Sequence, residues 1–219
     1  MTLAAPVHYP DSDGKRMAEN TVQADWMGLL KWNAEAQFRD RPDVFVAMDH
    51  LIYPVEGDNK LRTAPDVYLA FGRPKGDRGS YQVWREADLF PQVVMEVWSP
   101  SNDADDLRET FDFYERFGAE EYYLVYADFP AHVQGWVRAG DRLEPVADMA
   151  AHVSPRLGWR FVVTRGRLTV VGPDGRTLRK PDEIAAERDE ATQRAEAEQK
   201  RADRLAAKLR ALGVDPDAE

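Results

Sequence analysis

Short apolar segments separated by turn-forming residues dominate the first 180 residues of the chain. Residues 22–38 repeat apolar side chains at helical spacing, which predicts one amphipathic helix. Apolar runs bounded by Pro, Gly, Asn or Asp then predict strands, and their succession predicts a meander-like sheet. These runs are residues 44–48, 51–55, 64–71 and 91–98.

A strand–helix–strand unit is predicted next. Residues 99–103, Ser-Pro-Ser-Asn-Asp, supply turn and N-cap chemistry, and apolar side chains then recur every three or four residues up to Gly118. The β-rich run 121–126 follows, so the pattern predicts a helix that crosses between two parallel strands. Further strands are expected as accessory β-structure, at residues 133–137, 143–146, 160–163 and 168–171, with a hairpin-like turn at 172–175.

The composition changes at Pro181. Residues 183–212 contain no Gly or Pro and place apolar side chains near a heptad seam, which predicts a helix about 45 Å long. Arg188 and Glu198 interrupt the seam, so a homodimer through residues 183–212 and a lone solvated helix both stay open. The expected organisation is a mobile segment at residues 1–20, one domain at 21–180 and a helical extension, suited to a coiled coil, at 181–219.

Composition limits the possible chemistry. The 219 residues include no cysteine, which excludes disulfides, thiolate zinc sites and cysteine nucleophiles. No run approaches the roughly 20 apolar residues of a membrane helix, and the N-terminus lacks signal-peptide features, so we expect no membrane contact and a cytoplasmic location. The formal net charge of -10 weighs against a general nucleic-acid binder, although residues 72–78 place three cations in one loop.

Two carboxylates interrupt the third and fourth predicted strands. Glu96 lies within an otherwise apolar run, where an ionised carboxylate needs a partner or a metal, and Asp66 begins the earlier strand after Pro65. Carboxylates at adjacent strand ends repel each other, and a hard cation such as Mg²⁺ relieves that repulsion. The pair predicts a metal site; alternatively, Asp66 only starts a strand and Glu96 pairs with an arginine. Asp49 is a further candidate carboxylate, with a strand-end turn as its alternative.

Several motifs in combination resemble one protein family. They are Pro65-Asp66, Gly72-Arg73-Pro74-Lys75, Val94-Met95-Glu96-Val97, Ser99-Pro100-Ser101-Asn102, Phe113-Tyr114-Glu115-Arg116-Phe117-Gly118 and Glu121-Tyr122-Tyr123. Residues 20–180 thereby resemble the Uma-type family of putative restriction endonucleases, in the PD-(D/E)XK nuclease superfamily. The resemblance implies a restriction-endonuclease-like α/β fold, a mixed sheet flanked by helices. We expect accessory C-terminal β-strands in addition to that fold, and a long, alanine-rich C-terminal α-helix that also recurs in the family.

The resemblance also implies hydrolysis of DNA phosphodiesters that depends on Mg²⁺ or Mn²⁺. Asp66 and Glu96 would hold the cation, with the backbone carbonyl of Val97 as a further ligand. A cation held in this way activates water and stabilises charge on the phosphate.

The lysine of the superfamily motif is absent. The position two residues after Glu96 is Trp98. Uma-type sequences carry the lysine four residues before the tyrosine instead, and that position, counted back from Tyr114, is Thr110. Removing one such positive group typically costs about 10²- to 10³-fold in rate.

Two interpretations follow from the missing lysine. In the first, Lys75, Arg108 or Lys60 supplies the positive charge and the protein is a metal-dependent endonuclease. In the second, the protein is a catalytically inactive member of the nuclease fold and acts as a binding or assembly module. The acidic net charge is consistent with the second interpretation.

Overall fold

The computed structural model describes residues 7–12, 14, 17–99, 104–128 and 130–211. Its helices are α1 (Thr21–Gln37), α2 (Ala104–Phe117) and α3 (Pro181–Ala211), and a 3₁₀ turn covers Val83–Arg85. Its strands are β1 (Val44–Ala47), β2 (Ile52–Tyr53), β3 (Val67–Phe71), β4 (Tyr81–Gln82), β5 (Val93–Val97), β6 (Glu121–Tyr126), β7 (His132–Ala139), β8 (Arg142–Pro145), β9 (Arg160–Thr164) and β10 (Arg167–Val171). The mixed α/β class expected from the sequence is confirmed.

A six-stranded mixed sheet has the strand order β1-β3-β5-β6-β7-β8. β3 runs antiparallel to both β1 and β5, whereas β5 and β6 pair in parallel, with Val93 opposite Glu121. α2 connects these two parallel strands. The predicted strand–helix–strand unit is therefore confirmed. The N-cap turn expected before α2 includes residues 100–103, which lie outside the described residues.

Some details of the sheet differ from the sequence prediction. β2 lies outside the central sheet and pairs in parallel with β4, so the expected meander through residues 51–55 is wrong. The physical reason is that Ile52 exchanges backbone hydrogen bonds with Thr63, at 2.8 and 3.2 Å, instead of with a neighbouring long strand. β7 and β8 extend the central sheet, whereas β9 and β10 form a separate antiparallel pair.

Apolar side chains cover both faces of the central sheet. On one face, Leu30 of α1 belongs to the same buried cluster as Met95 of β5. On the other face, Tyr114 of α2 shares a buried cluster with Val94. Because successive strand residues point to opposite faces, α1 and α2 lie on opposite sides of the sheet. The ends of β3 and β5 therefore lie within reach of both helices.

The described part of the N-terminal segment contacts this domain. The ring of Tyr9 lies 5.1 Å from that of Tyr53 and 5.0 Å from that of Trp84, centroid to centroid. Its hydroxyl accepts a hydrogen bond from the Gly57 N–H at 2.6 Å. Tyr9 is thus held in place, while the mobility expected for residues 1–20 as a whole stays a prediction.

The chain divides into two compact units, and the second begins at Arg179. Its described part is dominated by α3, a helix of 31 residues. None of the helices in the described ranges combines the length and the apolar character that crossing a membrane requires.

Candidate functional site

The candidate site lies where the backbone ladder between β3 and β5 ends. Val67 and Met95 form the last pair, and the same register places Asp66 opposite Glu96. Side chains continue the pairing here: the Asp66 N–H donates to Glu96 Oε2 at 3.1 Å, and the Val97 N–H donates to Asp66 Oδ2 at 2.7 Å. Each carboxylate is anchored by the backbone of the opposite strand, so the two are held side by side.

Gln23, in the first turn of α1, joins this pair. The residue is buried, and its Nε2 lies 3.4 and 3.3 Å from the two carboxylate oxygens of Asp66 and 3.3 Å from the Val97 carbonyl. Its Oε1 accepts from the Glu19 N–H at 2.8 Å, and its own N–H donates to the N-cap side chain of Asn20 at 2.9 Å. These cap contacts fix the amide so that its donor faces Asp66 and Val97.

Tyr114 approaches the pair from α2. Its hydroxyl is buried, donates to Glu96 Oε1 at 2.5 Å and lies 3.4 Å from Thr63 Oγ1. Burial and the neighbouring Glu96 raise the pKa of the Tyr114 hydroxyl well above its usual value, so the phenol stays protonated and remains a donor. Glu96 therefore receives one hydrogen bond from each side, from Tyr114 and from the Asp66 backbone.

Both carboxyl groups bind protons more tightly than usual. Burial raises the pKa of Glu96 to about 8, and the adjacent Asp66 adds to the rise. The hydrogen bonds from Tyr114 and from the Asp66 backbone lower the pKa of Glu96, but by less than burial raises it. Burial likewise raises the pKa of Asp66 to about 6, against the hydrogen bonds from Val97 and Gln23. The charge of Asp49 contributes to that rise. Two carboxylates that resist simultaneous ionisation are a place where a cation is stabilising.

Gln23, Asp66, Glu96 and Val97 line a cavity of about 760 Å³. Its acidic lining residues are Glu19, Asp49, Asp66, Glu96, Asp106 and Glu109, and its basic ones are Lys60 and Arg62. The excess of acids makes the cavity attractive to cations and repulsive to phosphate.

The structure brings some predicted site residues together and separates others. Thr110 and Lys60 line the cavity, and so does Asp49, whose N–H donates to the Pro65 carbonyl at 3.0 Å. Lys75 lies elsewhere, because its Nζ donates to the carbonyls of Phe38 and Arg39 at 2.7 and 3.0 Å. Arg108 is exposed and is not among the residues that line the cavity.

The donors at the site fit a hard divalent cation. Asp66, Glu96 and the Val97 carbonyl offer only oxygen, the ligand that Mg²⁺ and Mn²⁺ prefer, and Mg²⁺ commonly keeps several waters beside one or two carboxylates. Within the described ranges, no group of three or more His, Cys, Asp or Glu side chains is arranged to hold an ion. The candidate ligand set is therefore two carboxylates and one carbonyl, with water for the other positions.

Sequence reasoning missed two residues of this cavity. Arg62 is a half-buried cation whose Nη1 donates to Tyr53 Oη at 3.5 Å and to the Asn59 carbonyl at 3.4 Å. The signal that the sequence offers for Gln23 is its position three residues after the N-cap Asn20, where capping-box side chains are common. Its contacts with Asp66 and Val97 span 43 and 74 residues, a separation that no local pattern encodes.

A comparison with protein families identifies the family of this chain. The Uma2 family model, described as "Putative restriction endonuclease", matches residues 15–134, more than half of the chain. The chain belongs to the Uma2 family. Gln23, Asp66, Glu96 and Tyr114 all lie within the part that the Uma2 model matches, and the resemblance predicted from the sequence motifs is confirmed.

One solved structure similar to this Uma2 chain is described as a putative nuclease belonging to DUF820 from Anabaena variabilis ATCC 29413. The two share 13% sequence identity over 61% of this chain and 69% of that chain, with a TM-score of 0.41. No curated protein matches the chain.

Proposed function

We propose that this Uma2 protein is a DNA endonuclease that depends on Mg²⁺ or Mn²⁺ and works slowly because it lacks the family lysine. The observation that supports the proposal is the paired arrangement of Asp66 and Glu96 beside the Val97 carbonyl, at a cavity with room for a phosphodiester. Family membership supports the reaction class.

In this proposal the chain's own residues position the reacting groups. Asp66 and Glu96 hold the cation, and Tyr114 orients Glu96 and favours its ionised form by donating to Oε1. When bound, the cation supplies an activated water and offsets charge on the phosphate. Val97 contributes both its N–H, which anchors Asp66, and its carbonyl, which faces the same space.

The positive charge expected from a lysine would come from the cavity's own cations. Arg62 directly precedes Thr63, whose hydroxyl lies near that of Tyr114, and Lys60 also lines the cavity. Neither replaces a lysine on α2 position for position, so transition-state charge is less well stabilised. This is the reason for the low rate that we propose.

A second candidate function is a non-catalytic binding or assembly module. Two observations favour it: an uncharged Thr110 at the position of the family lysine, and the excess of acidic side chains around the cavity. Such a module retains the fold and the carboxylates without turnover.

Calorimetric titration with Mn²⁺ tests the metal site, and plasmid cleavage at saturating Mn²⁺ then tests the reaction. We expect Glu96→Gln to abolish binding, while the matched variant Glu109→Gln, which removes one charge from the same cavity, retains it. Binding together with metal-dependent cleavage supports the endonuclease. Binding without cleavage favours the module, and absence of binding by the wild type overturns both metal-based interpretations.

A further inference from the structure

The helix α3 exposes apolar side chains in a regular pattern. Ile184, Leu205 and Leu209 are 38%, 52% and 38% exposed. These positions fall on a single seam with alternating spacings of three and four residues, and alanines occupy the seam positions 191, 195 and 202. A straight helix of 31 residues is about 46 Å long, so this seam extends along most of that length.

The two halves of α3 carry opposite charge. Residues 182–196 contain six acidic and two basic side chains, whereas residues 197–210 contain two acidic and five basic ones. The helix dipole favours such charges only within the first and last turns. Here the segregation continues toward the middle, for example with Glu190 on the acidic side and Arg204 on the basic side. The dipole therefore explains only part of the pattern.

We propose that α3 pairs with α3 of a second copy of the chain in an antiparallel arrangement. Antiparallel pairing places the acidic half of each helix along the basic half of the other, which makes the surface complementary to itself. The occupant of the seam is thus a second copy of this chain. The pairing is independent of the proposed nuclease reaction.

The two polar seam residues select the orientation. A parallel pair in register would place Arg188 against Arg188 and Glu198 against Glu198, and both contacts are repulsive. In an antiparallel pair centred near residue 196, Arg188 meets Leu205 of the second copy, along which its aliphatic stem can pack. Glu198 then faces Ala195, which is small and uncharged.

The same register brings apolar residues together at both ends. Ile184 meets Leu209 of the second copy, and Ala191 meets Ala202 midway between the ends and the centre. On the flanks, Glu187, which also pairs with Arg179 of its own chain, faces Lys208 of the second copy. Arg194 lies near Arg201, but Arg194 already pairs with Glu190 of its own helix at 2.9 Å. The seam buries little apolar area because it is rich in alanine, so the dimer is weak and sensitive to salt.

Sedimentation of the full chain tests the pairing. At about 100 µM chain and low salt we expect twice the chain mass, and a return toward the monomer mass in about 0.5 M NaCl, where charge attraction is screened over a few Å. Leu209→Asp puts a charge on the seam against Ile184 of the second copy and is expected to abolish the dimer. Ala207→Asp adds the same charge on the opposite side of α3 and is expected to retain it. Only monomer under all conditions overturns the proposal.

Spin labels test the orientation. The chain has no cysteine, so a single label attaches at Ala185→Cys near one end of α3 or at Ala197→Cys near its centre. In the antiparallel pair the two labels at 185 lie about 35 Å apart at 1.5 Å per residue, whereas the labels at 197 are separated only by the width of the pair. A short 185–185 distance indicates a parallel pair, and a dimer in which the 197 labels are far apart indicates another interface; either result overturns the proposal.

Discussion

The phenolic hydroxyl of Tyr114 donates to Glu96 Oε1 at 2.5 Å and so links α2 to the end of β5. This hydrogen bond favours the ionised form of a carboxyl whose pKa is raised by burial and by the neighbouring Asp66. A phenol from the helix that follows β5 therefore affects how readily Glu96, a candidate metal ligand, loses its proton.

Replacement of Tyr114 by Phe tests that link. Tyr114→Phe removes a donor to Glu96, so the pKa of Glu96 rises further and Mn²⁺ binding requires a higher pH. We expect the midpoint of the pH dependence of Mn²⁺ affinity to move up by about one unit, with a loss of about 1 to 2 kcal/mol in the free energy of unfolding. Calorimetry between pH 6 and 9 measures the first effect and denaturant unfolding the second.

Tyr122 provides the matched control for this change. Its hydroxyl is also buried but has no hydrogen-bond partner among the described residues. Tyr122→Phe therefore removes an unpaired polar group, and the free energy of unfolding should stay the same or rise by up to about 1 kcal/mol. Equal losses of stability in the two variants would contradict the role assigned to Tyr114.

Stability should depend on pH through the carboxylate pair. A carboxyl whose pKa is raised on folding contributes stability below its unfolded pKa and loses it as the pH rises through its folded pKa. For Glu96, this window runs from about 4.5 to about 8. Glu96→Gln mimics the protonated form, so its stability should match the wild type near pH 5 and exceed it at pH 8 by on the order of 2 to 4 kcal/mol.

Thermal unfolding from pH 5 to 9, with and without Mg²⁺, measures this dependence. If Mg²⁺ binds the ionised pair as proposed, it should stabilise the wild type more at pH 8 than at pH 5 and leave Glu96→Gln unaffected. If wild type and variant show the same pH profile, Glu96 does not carry the raised pKa.

Gln23→Glu replaces an amide donor with a third carboxylate beside Asp66. The added charge should strengthen Mn²⁺ binding about tenfold, since ligand charge tunes the affinity of such sites, and should destabilise the metal-free protein by repulsion. Calorimetry measures the affinity, and unfolding without metal measures the cost. Gln23→Leu serves as the uncharged control. Equal Mn²⁺ affinity in all three proteins would show that residue 23 does not influence metal binding.

Thr110→Lys restores the family lysine one turn before Tyr114 on the face of α2 that lines the cavity. A cation there should stabilise the transition-state charge and raise the rate of plasmid cleavage by about 10²-fold. Thr110→Met adds similar length without charge and should give no gain. An unchanged rate in Thr110→Lys would indicate that Arg62 or Lys60 already serves this purpose, or that the protein does not cleave DNA.

Local patterns of the sequence predicted the strands that carry the site, but not the contacts between residues that are far apart in the sequence. The apolar run around Glu96 and the Pro65–Asp66 turn identified β5 and β3, because strand periodicity and turn chemistry are local properties. The run 51–55 has the same composition as a sheet strand, yet its place depends on Thr63 and Tyr81, which approach it only in the folded chain.

The resemblance to the family supplied Tyr114 as a motif residue, but not its bond to Glu96. Lys75 belongs to one of the motifs as well, and its position in the sequence gave no sign that its ammonium group is engaged by the carbonyls at the end of α1. Such engagement depends on the packing of α1 against the sheet, which is a property of the whole domain.

Gln23 joins the start of α1 to the candidate metal ligands through a single side chain. Its Oε1 holds the amide proton of Glu19 while its Nε2 faces Asp66. Any cation that displaces the amide from Asp66 must therefore loosen its hold on the Glu19 proton. The exchange of that one proton with deuterium would then accelerate upon metal addition, and this amide would report site occupancy without a label.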